Sequence, residues 1–258
     1  MLHINDLTFR MEGRLLLDHV TAALPPGQRT GFVGRNGTGK STLLKLITGV
    51  YGPETGSISF PKNWRVGMVT QEAPSGPITL LDTVLAADKE RSSLLAEAEH
   101  ATDPHRIAEI HTRLADMGAH SAPARAASIL AGLGFDEVAQ ARPCADFSGG
   151  WRMRVALAAV LFSEPDLLLL DEPTNDIDVN TMRALEEALE TFAGCAVIIS
   201  HDRWFLDRVA THIMAFEGDS KIFWFEGNFS EYEADRHKRL GTAADTPHRI
   251  RYKKLTRP

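Results

Sequence analysis

Eight consecutive residues, Gly34-Arg-Asn-Gly-Thr-Gly-Lys-Ser41, carry the first recognisable chemistry. Their pattern is G-x-x-x-x-G-K-[ST], with an apolar strand before it and a helical stretch after it. Glycines at these positions let backbone N–H groups turn inward around phosphate oxygens. The N-terminus of the following helix adds partial positive charge. Lys40 has the reach to meet the β- and γ-phosphates of a nucleoside triphosphate, and the Ser41 hydroxyl suits Mg²⁺. The expected binding stretch therefore runs through Gly34, Arg35, Asn36, Gly37, Thr38, Gly39, Lys40, Ser41 and Thr42.

Other residues complete such a site. Leu167-Leu-Leu-Leu-Asp171-Glu172 is an apolar strand that delivers two carboxylates at its C-terminal end. Neighbouring strand residues face opposite ways, so the two acids need different partners. Asp171 suits the hydration shell of Mg²⁺, and Glu172 suits polarising an attacking water. Gln71 closes a strand with an amide able to reach both metal and water. His201 follows the apolar run Ala196–Ile199, at the strand end that is the ligand side of a parallel sheet. Phe147-Ser148-Gly149-Gly150-Trp151 opens a helix with a hydroxyl and two glycines, a second anion-binding helix start. With one phosphate loop already on the chain, this start is expected to serve another nucleotide.

These groups need a scaffold. Residues 2–9 and 15–24 read as strands, followed by a turn at Pro25-Pro26-Gly27 and a strand over 28–33. A helix is expected over 41–48, and strands over 57–60 and 65–70. From Thr83 to Gly118 the chain is rich in Ala, Leu, Glu and Arg and lacks strand patterning, and roughly 82 to 134 is expected to be a helical insertion. It reads as helices, broken near Asp103-Pro104, with Asp103 suited to capping the second and a third over 122–133. A helix over 151–162, the strand 167–170, a helix over 180–192 and a strand over 196–200 give β-α-β order, hence a mostly parallel sheet with helices on both faces. A hairpin pairs 213–216 with 222–225. The expected division is a nucleotide-binding domain over 1–235, its helical insertion and signature region at about 82–162, and a basic tail over 236–258.

Charge is unevenly distributed. The 258 residues carry 28 Lys and Arg against 34 Asp and Glu, a net −6 that argues against a general nucleic-acid binder. Eight of those bases and one of the acids fall in 236–258, so this stretch is near +7 and the remainder near −13. A basic end on an acidic body points to a polyanionic partner or a solubilising terminus. Two well-separated cysteines, Cys144 and Cys195, form neither a disulfide framework nor a zinc site, which fits a reducing cytoplasm. The start of the chain lacks a basic-then-apolar leader, and the longest apolar runs are too short for a bilayer, so no direct membrane insertion is expected.

Taken together, these residues resemble the ATP-binding cassette superfamily over nearly the whole chain. Gly34–Ser41 resembles Walker A, Gln71 the Q-loop, Ser148-Gly-Gly-Trp-Arg a variant of the signature motif, Leu167–Glu172 Walker B, Asn175–Asp178 the D-loop and His201 the switch histidine. Asp171-Glu-Pro-Thr-Asn175, Ser200-His-Asp-Arg-Trp-Phe-Leu-Asp207 and Phe225-Glu-Gly-Asn-Phe-Ser-Glu-Tyr232 are similar to the ABC-F branch, which acts on ribosomes. The resemblance implies an ABC-type P-loop fold of the α/β class, with antiparallel N-terminal strands beside the mostly parallel sheet. It also implies ATP and Mg²⁺ as ligands, with Glu172 and His201 catalytic and Ser41, Gln71 and Asp171 at the metal. Ser148, Gly149 and Gly150 would face the nucleotide of an ATP-dependent homodimer partner or a second cassette. Ribosomal RNA or tRNA contact through the basic tail follows from the same branch.

The chain departs from that branch in two ways. It has one Walker A and one Walker B where members carry two cassettes and a helical linker. Residues up to about 170 resemble a first cassette and those from about 176 the end of a second, so a fusion or internal deletion is expected, joined in the shared Leu-Leu-Asp-Glu-Pro-Thr-Asn stretch. The adenine-stacking position falls on Met11, with Phe9 the near alternative. Two other functions remain as rivals: the ATPase subunit of a membrane transporter, and a non-catalytic ATP-binding fragment. The intact Glu172 and His201 favour turnover, and the Asp-Glu-Pro-Thr-Asn context favours the ribosomal branch.

Overall fold

The structure, a computed structural model, describes residues 1–69, 74–175, 177–218 and 220–241. It divides into two compact units: Met1–Met68 with Asp166–Thr174 and Ala188–Pro258, and Val69–Pro165 with Asn175–Glu187.

Along the chain, β1 (Leu2–Met11), β2 (Arg14–Leu24) and β3 (Arg29–Gly34) lead to α1 (Lys40–Ile47), then β4 (Thr55–Ser59) and β5 (Val66–Val69). The helices α2 (Leu80–Leu85), α3 (Lys89–His100), α4 (Pro104–Asp116), α5 (Ala122–Gly132) and the four-residue α6 (Glu137–Gln140) follow, and then α7 (Gly149–Phe162). The chain continues through β6 (Leu167–Asp171), α8 (Val179–Glu190), β7 (Cys195–Ile199), α9 (Arg203–Val209), β8 (His212–Gly218), β9 (Lys221–Glu226) and α10 (Phe229–Leu240).

The first unit holds two sheets. One has the order β2-β1-β4 and is antiparallel throughout. The other has the order β5-β6-β7-β3-β8-β9. In it β6–β7, β7–β3 and β3–β8 run parallel, and β9 returns antiparallel on β8. Parallel strands buried on both faces read as unbroken apolar runs. Leu167–Leu170 and Cys195–Ile199 are such runs, with every residue at 0% exposure. β1 and β2 instead alternate, turning Leu2, Ile4, Leu7, Leu17 and Leu24 inward. These side chains, the α1 residues Leu43, Leu44, Leu46 and Ile47, and the inner residues of β3, β6, β7 and β8 make one apolar cluster. That cluster fixes the carboxyl ends of β6, β7 and β3 side by side.

The second unit is helical. The expected stop-and-start at Asp103-Pro104 is present: Asp103 accepts from the His105 N–H at 3.0 Å and Pro104 opens α4. A further break over 86–88 was not expected from composition. It arises because two short-range caps start helices: Thr79 accepts from the Asp82 N–H, so α2 begins at Leu80, and Asp88 accepts from the Arg91 N–H to start α3. A small cluster of Ile110, Leu114 and Ala119, with Leu94 and Ala98 against it, packs α3 on α4.

Helices α9 and α10 fall outside the elements expected from the sequence. Both start at side-chain caps: Asp202 on the Phe205 N–H, and Asn228 with Glu231 in a reciprocal capping box. The division at 235/236 falls inside α10. There Arg239 bonds Glu217 and Asp235, and its guanidinium lies 3.6 Å from the Phe223 ring centre. Residues 242–258, the greater part of the basic tail, lie outside the described residues.

Candidate phosphate-loop site

All of the following groups belong to the first unit. β3 ends at Gly34, and α1 begins at Lys40 after a turn in which Gly39 takes φ 108°. Gly34 itself has φ 150°, and a Cβ there would sit 2.8 Å from the Phe216 carbonyl oxygen, so no side chain fits. The loop is held by its own bonds: the Thr38 hydroxyl and N–H both donate to the Arg35 carbonyl. From the β1–β2 hairpin, Arg14 donates to the Gly37 carbonyl at 2.7 Å, a contact no motif announced. Arg35, Asn36, Gly37 and Ser41 are exposed, and Thr38, Thr42 and Gly34 are half-buried.

Lys40 is buried, with 6% exposure, and its ammonium donates to the carbonyls of Gly34 at 2.7 Å and Arg35 at 3.0 Å. Burial pushes its pKa below the ordinary value, while the carboxylates of Glu172 and Asp171 pull the other way. A desolvated cation at the start of a helix is a strong point of attraction for an anion.

The neighbouring strand β6 delivers the acids. Asp171 Oδ1 accepts from the Ser41 hydroxyl at 3.2 Å. Glu172 lies beyond the strand with φ 52°, a left-handed backbone rarely taken by a side chain of this size. Its N–H donates to the Ile199 carbonyl at 2.9 Å, which pins it to the end of β7. Its side chain is 15% exposed; Oε1 is 3.2 Å from His201 Nε2, and Oε2 is buried with no hydrogen-bond partner. His201 follows β7, where Ser200 Oγ is 2.7 Å from Thr174 Oγ1 and accepts from the Asp202 N–H. His201 Nε2 is also 2.8 Å from Asn36 Oδ1 in the phosphate loop. The sheet order β6-β7-β3 thus sets Asp171 and Glu172, His201, and Gly34–Ser41 on three adjacent parallel strands, at the end where ligands of open α/β sheets bind.

The other expected site residues are distributed as follows. Gln71 falls within 70–73, outside the described residues. Ser148, Gly149 and Gly150 belong to the second unit. Ser148 is exposed at the start of the 14-residue α7, whose first turn carries no acid, and its side chain makes no cap bond. Phe9 is stacked on Tyr51, ring centres 5.7 Å apart and planes at 17°, and both Phe9 and Met11 pack against the core. Among the described residues, no group of three or more His, Cys, Asp and Glu is arranged to hold a metal. No helix among them is long and apolar enough to cross a membrane.

A glycine-collared loop opening a helix, beside strand-end carboxylates on a mostly parallel sheet, defines a phosphate-loop nucleotide-binding domain. The family described as ABC transporter matches residues 17–175, and the chain belongs to it. The chain is 44% identical over 243 residues to the probable ATP-binding protein YheS of Escherichia coli strain K12, covering 93% of this chain and 38% of that protein. It is 39% identical over 261 residues to the energy-dependent translational throttle protein EttA of Mycobacterium tuberculosis, covering 100% of this chain and 42% of that one. Both matches accord with the ABC-F resemblance. The chain spans about two fifths of the length of these relatives. Each match extends across residues 170–176, so neither relative resembles only one side of the expected junction. In fold, the chain is similar to an ATP-binding cassette solved as a dimer in a post-hydrolysis state with ADP and Pi, with TM-score 0.62, 21% identity and coverage of 88% of this chain and 98% of that one.

Proposed function

We propose that this chain is an ATP hydrolase of the ABC-F type. The observation that carries the reading is the convergence of the phosphate loop, Asp171, Glu172 and His201 at the ends of β3, β6 and β7. The residues fit a Mg²⁺ ion. The Ser41 hydroxyl beside the Asp171 carboxylate offers two hard oxygens, and Mg²⁺ brought in with phosphates takes only one or two protein ligands. That also explains why no larger acidic cluster is needed. The ion would neutralise charge on the β- and γ-phosphates.

The protein groups do the rest. Gly34–Thr42 N–H groups and the buried Lys40 ammonium bind the triphosphate. Glu172, largely shielded from water and with one oxygen unpartnered, accepts a proton as a water oxygen attacks the γ-phosphorus and the bond to the bridging oxygen breaks, releasing ADP and phosphate. His201 Nε2–H is the neighbouring donor. Ser148, Gly149 and Gly150 serve the nucleotide of a second cassette, whether from another copy of this chain or a partner, with ATP between the two. The dimeric state of the structurally similar cassette supports this arrangement. Similarity to a translational throttle protein and the basic 236–258 stretch support ribosomal RNA or tRNA as the partner, in the cytoplasm.

The test is ATP turnover with and without ribosomes, read beside light scattering of Glu172→Gln in Mg-ATP. The account expects turnover altered by ribosomes, an ATP-dependent dimer, and loss of that dimer on adding Ser148→Arg. A monomer at saturating ATP would overturn the homodimer, and turnover indifferent to ribosomes would overturn the ribosomal partner.

A further inference from the structure

Asn36 occupies a position where the motif allows any residue, yet its side chain makes a specific contact. Its Oδ1 lies 2.8 Å from His201 Nε2, across 165 residues of sequence. The same nitrogen lies 3.2 Å from Glu172 Oε1. Asn36 Oδ1 can only accept, so Nε2 bears the proton and donates to it, with Glu172 Oε1 as the neighbouring charge. The shorter contact is to Asn36. His201 is half-exposed at 51% and follows the end of β7, so packing alone holds its ring weakly. Asn36, by contrast, sits on a loop braced by the bonds of Thr38 to the Arg35 carbonyl and of Arg14 to the Gly37 carbonyl.

Resting on the hydrolytic reading above, we infer that Asn36 is a positioning residue: its amide oxygen selects the Nε2–H form of His201 and holds the ring between the phosphate loop and Glu172. It acts through His201 and is not itself a catalytic group.

The inference separates binding from turnover. The backbone N–H of residue 36 and the Lys40 ammonium survive removal of the side chain, so ATP affinity persists while the histidine loses its aim. In Asn36→Ala, kcat is expected to fall about tenfold, the size of one lost hydrogen bond, with KM for ATP within about twofold of the parent. Asn36→Asp keeps an acceptor at the same reach and is expected to hold Nε2 protonated, while its negative charge beside the phosphates raises KM for ATP. Imidazole ¹⁵N shifts of His201 provide a readout independent of activity: Nε2–H in the parent and in Asn36→Asp, a mixture of tautomers in Asn36→Ala. An unchanged tautomer and kcat in Asn36→Ala, or a loss confined to KM, would overturn the inference. A parent protein without turnover would overturn the hydrolytic reading alone, because the tautomer measurement needs no ATP.

Discussion

Replacing Arg154 with Met should destabilise the helical unit by an amount the structure allows us to work out. Arg154 is 5% exposed on α7, six residues after Ser148. Its Nε donates to Thr181 Oγ1 at 2.7 Å and one terminal nitrogen to the Leu133 carbonyl at 3.0 Å. The other terminal nitrogen is 3.5 Å from Asp178 Oδ1, at the edge of a hydrogen bond. The guanidinium lies 4.2 Å from the Trp151 ring centre. Gly134 makes room for it: a Cβ there, at φ 91°, would meet Arg154 at 3.0 Å.

These contacts do not weigh equally. Asp178 is half-exposed and already accepts from the N–H groups of Asn180 and Thr181, so the ion pair contributes little and its loss strands no charge. The two short bonds come from a charged donor, and at ~1.5 kcal/mol each they dominate. Stacking on Trp151 adds ~1 kcal/mol, and relief of burying a cation subtracts a similar amount. Arg154→Met, which keeps most of the stem, should therefore cost ~3 kcal/mol in urea unfolding followed by tryptophan fluorescence. Arg154→Lys, a single point donor, should recover less than half. Asp178→Ala should cost ~1 kcal/mol, the value of a helix cap. A change below about 0.5 kcal/mol for Arg154→Met would refute the reasoning, because surface substitutions alone fall in that range.

Two other outcomes follow from the same geometry. Lys40→Ala should leave the fold intact and sharply weaken ATP binding by calorimetry, since it removes the buried ammonium at the start of α1; unchanged affinity would remove the phosphate-loop assignment. Glu217 is pushed up by burial, but bonds from Arg239 and Tyr232 outweigh this and hold its carboxyl below the ordinary range. A folded-state value below the unfolded one means its contribution is present above the unfolded pKa of about 4.3 and is lost as pH falls through the folded value. Glu217→Gln should accordingly show a shallower loss of stability in acid than the parent, measured by thermal unfolding across that range.

Much of the site was legible because its chemistry is written in short local patterns. Gly34–Ser41 announces a strand, a glycine turn and a helix start, and Leu167–Glu172 announces a buried strand ending in acids. What joins them was not legible. That β6, β7 and β3 are neighbours depends on strand order, which no spacing records. The contacts of Asn36 with His201 and of Arg14 with Gly37 span 165 and 23 residues and leave no periodic trace. Helices α9 and α10 are not legible, and α2 reads as one with α3, because each is short or polar and is started by a cap, Thr79, Asp202 or Asn228, rather than by an apolar stripe. The stack of Phe9 on Tyr51 likewise spans 42 residues and leaves no local trace.

Glu172 is the group proposed to turn bound ATP into ADP and phosphate. The direct measurement is phosphate release by the parent and by Glu172→Gln, with ATP affinity measured on both. Glutamine keeps the shape and the contact with His201 but cannot take the proton. The account predicts equal affinity and a turnover lower by ~10²–10⁴ in the variant; equal turnover in the two proteins would contradict it.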